Sequence, residues 1–219
     1  MKVILFGATG MVGQGVLREC LLDPDVETVL AIGRSATGQK QEKLREIALQ
    51  ELTEFSAIEE NLSGYDACFF CLGVTSAGRN EDQYRRVTYD ITIAAARTLA
   101  RLNPRMTFIY ISGMGADSSE RGRVMWARVR GQTENEVLKL PFQGYVIRPA
   151  YIQPMHGIRS KTKWYQAFYN VVAPVYPLLK AIAPGYVTTT EELGRAMIRI
   201  AAQGSPKRVV ESRDIRKIH

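Results

Sequence analysis

The sequence is poor in residues that staple or metallate a fold. It has three cysteines and two histidines among 219 residues, with no paired Cys/His finger, and the irregular spacing of Cys20, Cys68 and Cys71 excludes a disulfide framework. Cys68 and Cys71 do form a CxxC. They lie in ACFFCLG, however, which reads as a buried strand on which residues three apart face opposite sides. Redox use is not expected, because CxxC centres work at a helix N-terminus. Long apolar runs are also missing. The longest candidate, AFYNVVAPVYPLLKAIAPGYV, is broken by Asn170, Lys180 and three prolines, so stable membrane insertion is not expected. The apolar run after Lys2 stops within five residues at a glycine turn, which argues against a secretory signal and makes cytoplasm the expectation.

Acidic residues are outnumbered, 22 against 29 basic ones, for a net charge of +7. The positive residues are scattered, with modest clusters at 121–130 and 207–217, and no aromatic-basic RNA motif accompanies them. Specific nucleic-acid binding is therefore not expected. Solvated faces and attraction to anionic small molecules account for the excess.

With 46% apolar residues the chain can bury a sizeable core. Its start carries the main signal. KVILF, Lys2 to Phe6, reads as a buried strand; it runs into GATGMVGQG and then VLRECLL, which has helical spacing. Strand, glycine turn, helix is the context that a dinucleotide fingerprint needs. In that geometry Gly7 makes the turn, Gly10 lets the backbone approach a pyrophosphate, and Gly13 lets the helix pack on the strand. Thr9, Met11 and Val12 would line the same phosphate cradle, at the positive end of the helix dipole.

VETVLAIGRS reads as a second strand ending at Gly33. An NAD-binding fold usually sets an acid there for the ribose 2′-hydroxyl, whereas this chain has Arg34 and Ser35. An arginine and a hydroxyl suit a 2′-phosphate, so NADP is favoured over NAD. LREIALQEL contains a third strand, and EFSAIEENLSGY a connection or short helix. Asp66, which begins the fourth strand, is expected to contact the cofactor, and Leu72, Gly73, Val74 and Thr75 after that strand should line the adenosine side of the crevice. Asn80 and Gln83 have capping-box spacing and open a long helix that ends before Pro104. TFIYIS is the fifth strand with Ser112 at its end, a helix is expected over 119–140, and GYVIRPAYI is the sixth strand.

This alternation predicts an α/β fold: a doubly wound parallel sheet, the NAD(P)-binding Rossmann type, in a single domain over 1–219. A small C-terminal substrate-side segment, 151–188, is aromatic and proline-rich and reads as a lid. TTTEELGRAMIRIAAQG is a further helix, with Thr189 and Glu192 spaced as a capping box and Gly204 at its end, and VVESRDIRKI closes with a strand and tail.

GATGMVGQG, Arg34, Asp66 and YISGMGAD together resemble the atypical short-chain dehydrogenase/reductases, above all the NmrA-like and Tat-interacting-protein-like members, epimerase-like NAD(P)-binding proteins. WARVRGQTENEVL resembles the helix after their fifth strand, and IRPAYIQPMHGIRS their substrate-side loop. The resemblance implies an NADP(H)-binding oxidoreductase or epimerase-like protein with Ser112 in the role of the carbonyl-orienting serine. It also implies a tyrosine and a lysine four residues apart on the next helix, where a cation brings a phenol of pKa about 10 into use near neutral pH. Here those places hold Trp126 and Arg130. Trp126 cannot exchange a proton as a phenol does. Arg130 can keep the lysine's contact with the nicotinamide ribose, and His156, after strand six, is the substitute acid/base candidate. Tyr176 and Lys180 form the only YxxxK and lie in the lid segment. The altered pair also fits a non-catalytic NADP(H) sensor, and the basic, aromatic 159–180 stretch leaves a membrane-surface role open. A small-molecule substrate and a monomeric or homodimeric protein are expected.

Overall fold

The computed structural model describes residues 1–158 and 176–218. Strands β1 (Lys2–Phe6), β2 (Thr28–Gly33), β3 (Leu44–Ala48), β4 (Ala67–Phe70), β5 (Thr107–Ile111) and β6 (Gln143–Arg148) alternate with helices α1 (Met11–Leu22), α2 (Glu81–Arg85), α3 (Ile91–Leu102) and α4 (Met125–Lys139). Then follow β7 (Tyr151–Gln153), α5 (Tyr176–Ile182), β8 (Val187–Thr189), α6 (Thr190–Gln203), β9 (Val209–Glu211) and α7 (Ser212–Ile215). Seven of these strands form one parallel sheet in the order β3-β2-β1-β4-β5-β6-β9. The expected doubly wound Rossmann sheet is therefore present. Its strand order reverses between β1 and β4, and ligands of such sheets bind beyond the strand ends at that switch point.

Both faces of the sheet are covered, which is why β1 reads as a continuous apolar run. Val3 and Leu5 join the core on the side of α1 and α6; Ile4 and Phe6 join the opposite core. In that second core Phe6, Phe70, Phe108 and Phe142 stack in file across the sheet, with ring centroids 5.1, 5.9 and 5.0 Å apart. Truncating one such ring typically costs about 3–5 kcal/mol. On the first side, α1 and α6 approach so closely that a Cβ on Gly15 would lie 2.4 Å from Thr190 Cβ.

Both expected capping boxes form: Asn80 with Gln83, and Thr189 with Glu192. Cys68 and Cys71 pack into opposite cores. Three boundaries differ from expectation. The helix expected over 119–140 begins at Met125, because Asp117 holds the preceding residues in a turn: its carboxylate accepts from Ser119 N–H and Oγ–H and from Gly122 N–H. GYVIRPAYI is split at Pro149; β7 leaves the main sheet and pairs with β8 in a two-stranded parallel sheet. The long helix after Asn80 has a π turn, Arg86–Asp90, between α2 and α3. The aromatic core of the expected lid, 159–175, lies outside the described residues.

Candidate functional site

The glycine turn has the conformation that its sequence demands. Gly7 has φ +81°, and a Cβ there would lie 2.7 Å from Leu72 N, so β1 and the end of β4 meet through backbone alone. A Cβ on Gly13 would lie 2.0 Å from Gly7 O; only glycine lets α1 start this close to the strand. Gly10 differs. Its φ of −79° suits any residue, and an added Cβ would meet only Gly7 O, at 3.3 Å. A side chain at Gly10 would thus be accommodated by the fold while filling the space in front of the turn.

Helix α1 has no side-chain cap and no acid in its first turn. The N–H groups of Met11, Val12 and Gly13 have no acceptor within the helix, as at any helix start. A dinucleotide pyrophosphate would supply both the acceptors and the negative charge. Thr9 O accepts from Gln14 Nε2 at 3.1 Å, which braces the turn. Leu72 to Thr75 follow the end of β4, with the Leu72 backbone against Gly7, on the side where an adenosine would rest. Arg34 and Ser35 are exposed at the head of the loop after β2. The residues present therefore fit the nucleotide.

Asp66 does not belong with them. It precedes β4 at the opposite end of the sheet, where its carboxylate accepts from Lys2 N–H at 2.7 Å and its carbonyl from Thr107 N–H. It ties three strand starts together, and the length of β4 separates it from the cradle.

The second part of the site is the loop between β5 and α4. Ser112 is 5% exposed and its N–H donates to Ile147 O, yet its Oγ is buried with no hydrogen-bond partner among the described residues. An unmatched buried hydroxyl costs about 1–3 kcal/mol, so a group that completes it would be held firmly. Arg130 reaches the same place from α4, its Nη1 lying 3.2 Å from where a Cβ on Gly113 would stand. Its Nε donates to the hydroxyl of Tyr84, a residue 1% exposed, at 2.9 Å. Burial pushes the neighbouring Tyr110 hydroxyl above the usual phenol range, so that group stays neutral.

Side chains fix α4 against this loop. A Cβ on Gly131 would fall 1.8 Å from Asp117 O, and Trp126 covers Gly115. Arg148, at the end of β6, pairs with buried Glu134 on α4 at 2.5 Å, with Glu211, and with Ser118 Oγ. Glu134 is one helical turn beyond Arg130, so this anchor holds the part of α4 that carries Arg130, while Tyr84 holds its guanidinium. Sequence inspection passed over Tyr84 and Arg148, because neither belongs to a local motif.

His156 has φ +56°, and its Nε2 lies 3.0 Å from Glu191 Oε2 in the first turn of α6. Glu191 continues to Arg195 and so to Glu19 on α1. The described contacts thus join His156 to α6, and none joins it to Ser112 or Arg130. The histidine bond holds the Glu191 carboxyl below its ordinary value. Lys180 bonds Glu192 at 3.1 Å and lies over the Tyr176 ring, so the YxxxK pair belongs to the same helix start.

A parallel sheet, a glycine cradle at its switch point and a buried serine one strand further define a dinucleotide-binding protein of the epimerase and short-chain reductase class. Residues 7–140 match a family described as NAD(P)H-binding, and the chain belongs to that family, among the atypical short-chain dehydrogenase/reductases. It is 28% identical over 209 residues to "Protein fmp52, mitochondrial" of Emericella nidulans, covering 90% of this chain and 85% of that one. It is 30% identical over 155 residues to HTATIP2 of Rattus norvegicus, covering 69% of this chain and 62% of that protein. Among solved structures, the Bordetella bronchiseptica enzyme WbmF in complex with NAD+ superposes with TM-score 0.69 at 14% identity, over 99% of this chain and 76% of its own.

The names of the fungal relatives correct one expectation. Several are mitochondrial proteins by name, which overturns the cytoplasmic assignment. The inference failed because the early end of one apolar run speaks only to secretory signals, while mitochondrial addresses are amphipathic and arginine-rich. Among the described residues no helix is long and apolar enough to cross a membrane.

Proposed function

We propose that the protein binds NADP(H) at the glycine turn and acts on a small carbonyl or hydroxyl compound held at Ser112, as an oxidoreductase or epimerase-like enzyme. The observation that carries this reading is the buried Ser112 Oγ at the end of β5, which has no hydrogen-bond partner among the described residues, with Arg130 reaching the adjacent Gly113. A serine hydroxyl there can donate to a substrate oxygen, and the guanidinium can hold a ribose or carbonyl oxygen without exchanging its own proton. When bound, the nucleotide would give a hydride to a carbonyl carbon or take one from a carbinol carbon, and the balancing proton would be exchanged with solvent. Arg34 and Ser35, in place of the usual acid, favour the 2′-phosphate form.

Two observations favour a second reading, a non-catalytic NADP(H) sensor. Trp126 stands where a proton-exchanging phenol is usual, and Arg130 already engages Tyr84. Calorimetric titration with NADPH and NADH, followed by a panel of carbonyl compounds, separates the two. The enzyme reading expects NADPH to bind at least several-fold tighter than NADH and at least one carbonyl to turn over. Tight binding with no turnover selects the sensor, and an NADPH-to-NADH affinity ratio that stays the same in Arg34→Ala removes the assignment to Arg34.

A further inference from the structure

The end of β2 lacks the acid that reads a ribose, but the structure delivers one from the neighbouring strand. Glu46 lies on β3 opposite Ala31 of β2, so its side chain leaves the sheet on the face that carries α1 and the glycine turn. There it lines one pocket with Gly7, Thr9, Gly33, Ser35 and Thr37. This pocket joins the phosphate turn to the loop after β2, the region where an adenosine ribose rests in a fold of this kind.

The Glu46 carboxylate is held in position. Its Oε1 accepts from Thr37 N–H at 2.6 Å, and among the described residues no cation neutralises it. Oε1 is thus committed to the loop and Oε2 is available to the pocket. Arg34 opens the same loop, so one segment presents a cation and a buttressed anion to the same part of a nucleotide.

We infer that Glu46 is a specificity-determining residue for the substituent at the ribose 2′ position, accepting from a 2′-hydroxyl and repelling a 2′-phosphate. This rests on the nucleotide binding at the glycine turn proposed above. Arg34 pulls toward the phosphorylated cofactor and Glu46 toward the unphosphorylated one, and the parent protein's preference is the balance of the two. Both groups are solvated, so the effect of either is moderate and is screened by salt.

Glu46→Gln tests this, because the amide oxygen still accepts from Thr37 N–H while the charge is gone. Calorimetric titration with NADPH and with NADH, at low and at high salt, should show the NADPH-to-NADH affinity ratio rising about tenfold in Glu46→Gln. The gain should shrink at high salt. Glu46→Ala, which also removes the loop anchor, should weaken both nucleotides. An unchanged ratio in Glu46→Gln, with both nucleotides binding, overturns this inference alone and reduces Glu46 to a loop anchor. Binding of neither nucleotide by the parent protein overturns it together with the cofactor reading.

Discussion

The turn between β1 and α1 is built from backbone, whereas the loop between β5 and α4 is held by side chains. In the first, Gly7 and Gly13 fit against carbonyl and amide atoms at distances that no Cβ could share. In the second, Asp117, Arg148, Glu134 and Trp126 hold the loop, and the proposed chemistry would rest on Ser112 and Arg130. A backbone cradle admits little variation, because any side chain collides with the main chain. A side-chain scaffold keeps its shape while its reactive groups change. On the proposed reading, Trp126 and Arg130 stand in the places of the tyrosine and lysine that the resemblance implies, on a helix α4 that is continuous over Met125–Lys139.

Gly10→Val is the largest way to break this comparison. The backbone angles are open to valine, and the 3.3 Å contact with Gly7 O together with a poorer N-cap costs about 1 kcal/mol, so the variant should still fold, with a modestly lowered melting temperature. Its side chain would stand in the pyrophosphate's path, and NADPH affinity should fall about 10²-fold or more by calorimetry. Retained affinity would move the nucleotide away from the turn.

A smaller effect is expected at the other end. Ser112→Ala removes a buried hydroxyl that has no described partner, so thermal stability should hold or rise by about 1 kcal/mol, while any carbonyl turnover should fall at least about tenfold. Loss of stability with unchanged turnover would make the serine structural. His156→Ala sharpens the same contrast. With its ring bonded to Glu191, turnover should be nearly unaffected, and a fall of about 10² would bring the histidine to the substrate.

The smallest effect concerns α6. Glu191 is held below its ordinary range by His156, with Arg195 adding to the effect. A lowered carboxyl contributes stability that is present above the unfolded value and lost as the pH falls through the folded one. The parent should therefore lose more melting temperature between about pH 5 and about pH 3 than Glu191→Gln does. The group is partly exposed, and the difference should be under about 1 kcal/mol. Identical acid limbs would leave the His156–Glu191 contact without weight.

Features that depend on a few neighbouring residues were legible in the chain. KVILF and its glycines announced the cradle, and the pairs Asn80/Gln83 and Thr189/Glu192 announced two helix starts. The start of α4 was misjudged because an Asp117 turn competes with helix formation over 119–124. Asp66 was assigned to the cofactor on the resemblance alone; it immediately precedes β4, and in a parallel sheet the start of a strand lies at the end away from the cradle.

The sequence by itself determined the parallel α/β fold, the glycine turn and the serine at the end of β5, since each follows from local spacing, local dihedral freedom or a fixed count along one strand. Only the tertiary structure decided what surrounds them. Arg130 meets Tyr84 across a separation of 46 residues, Arg148 meets Glu134 through a buried ion pair, and Glu46 enters the pocket from a strand that no motif marks. Such meetings depend on which strands become neighbours and which helix faces cover them. Those are set by the packing of the whole core, and no short stretch of residues encodes them.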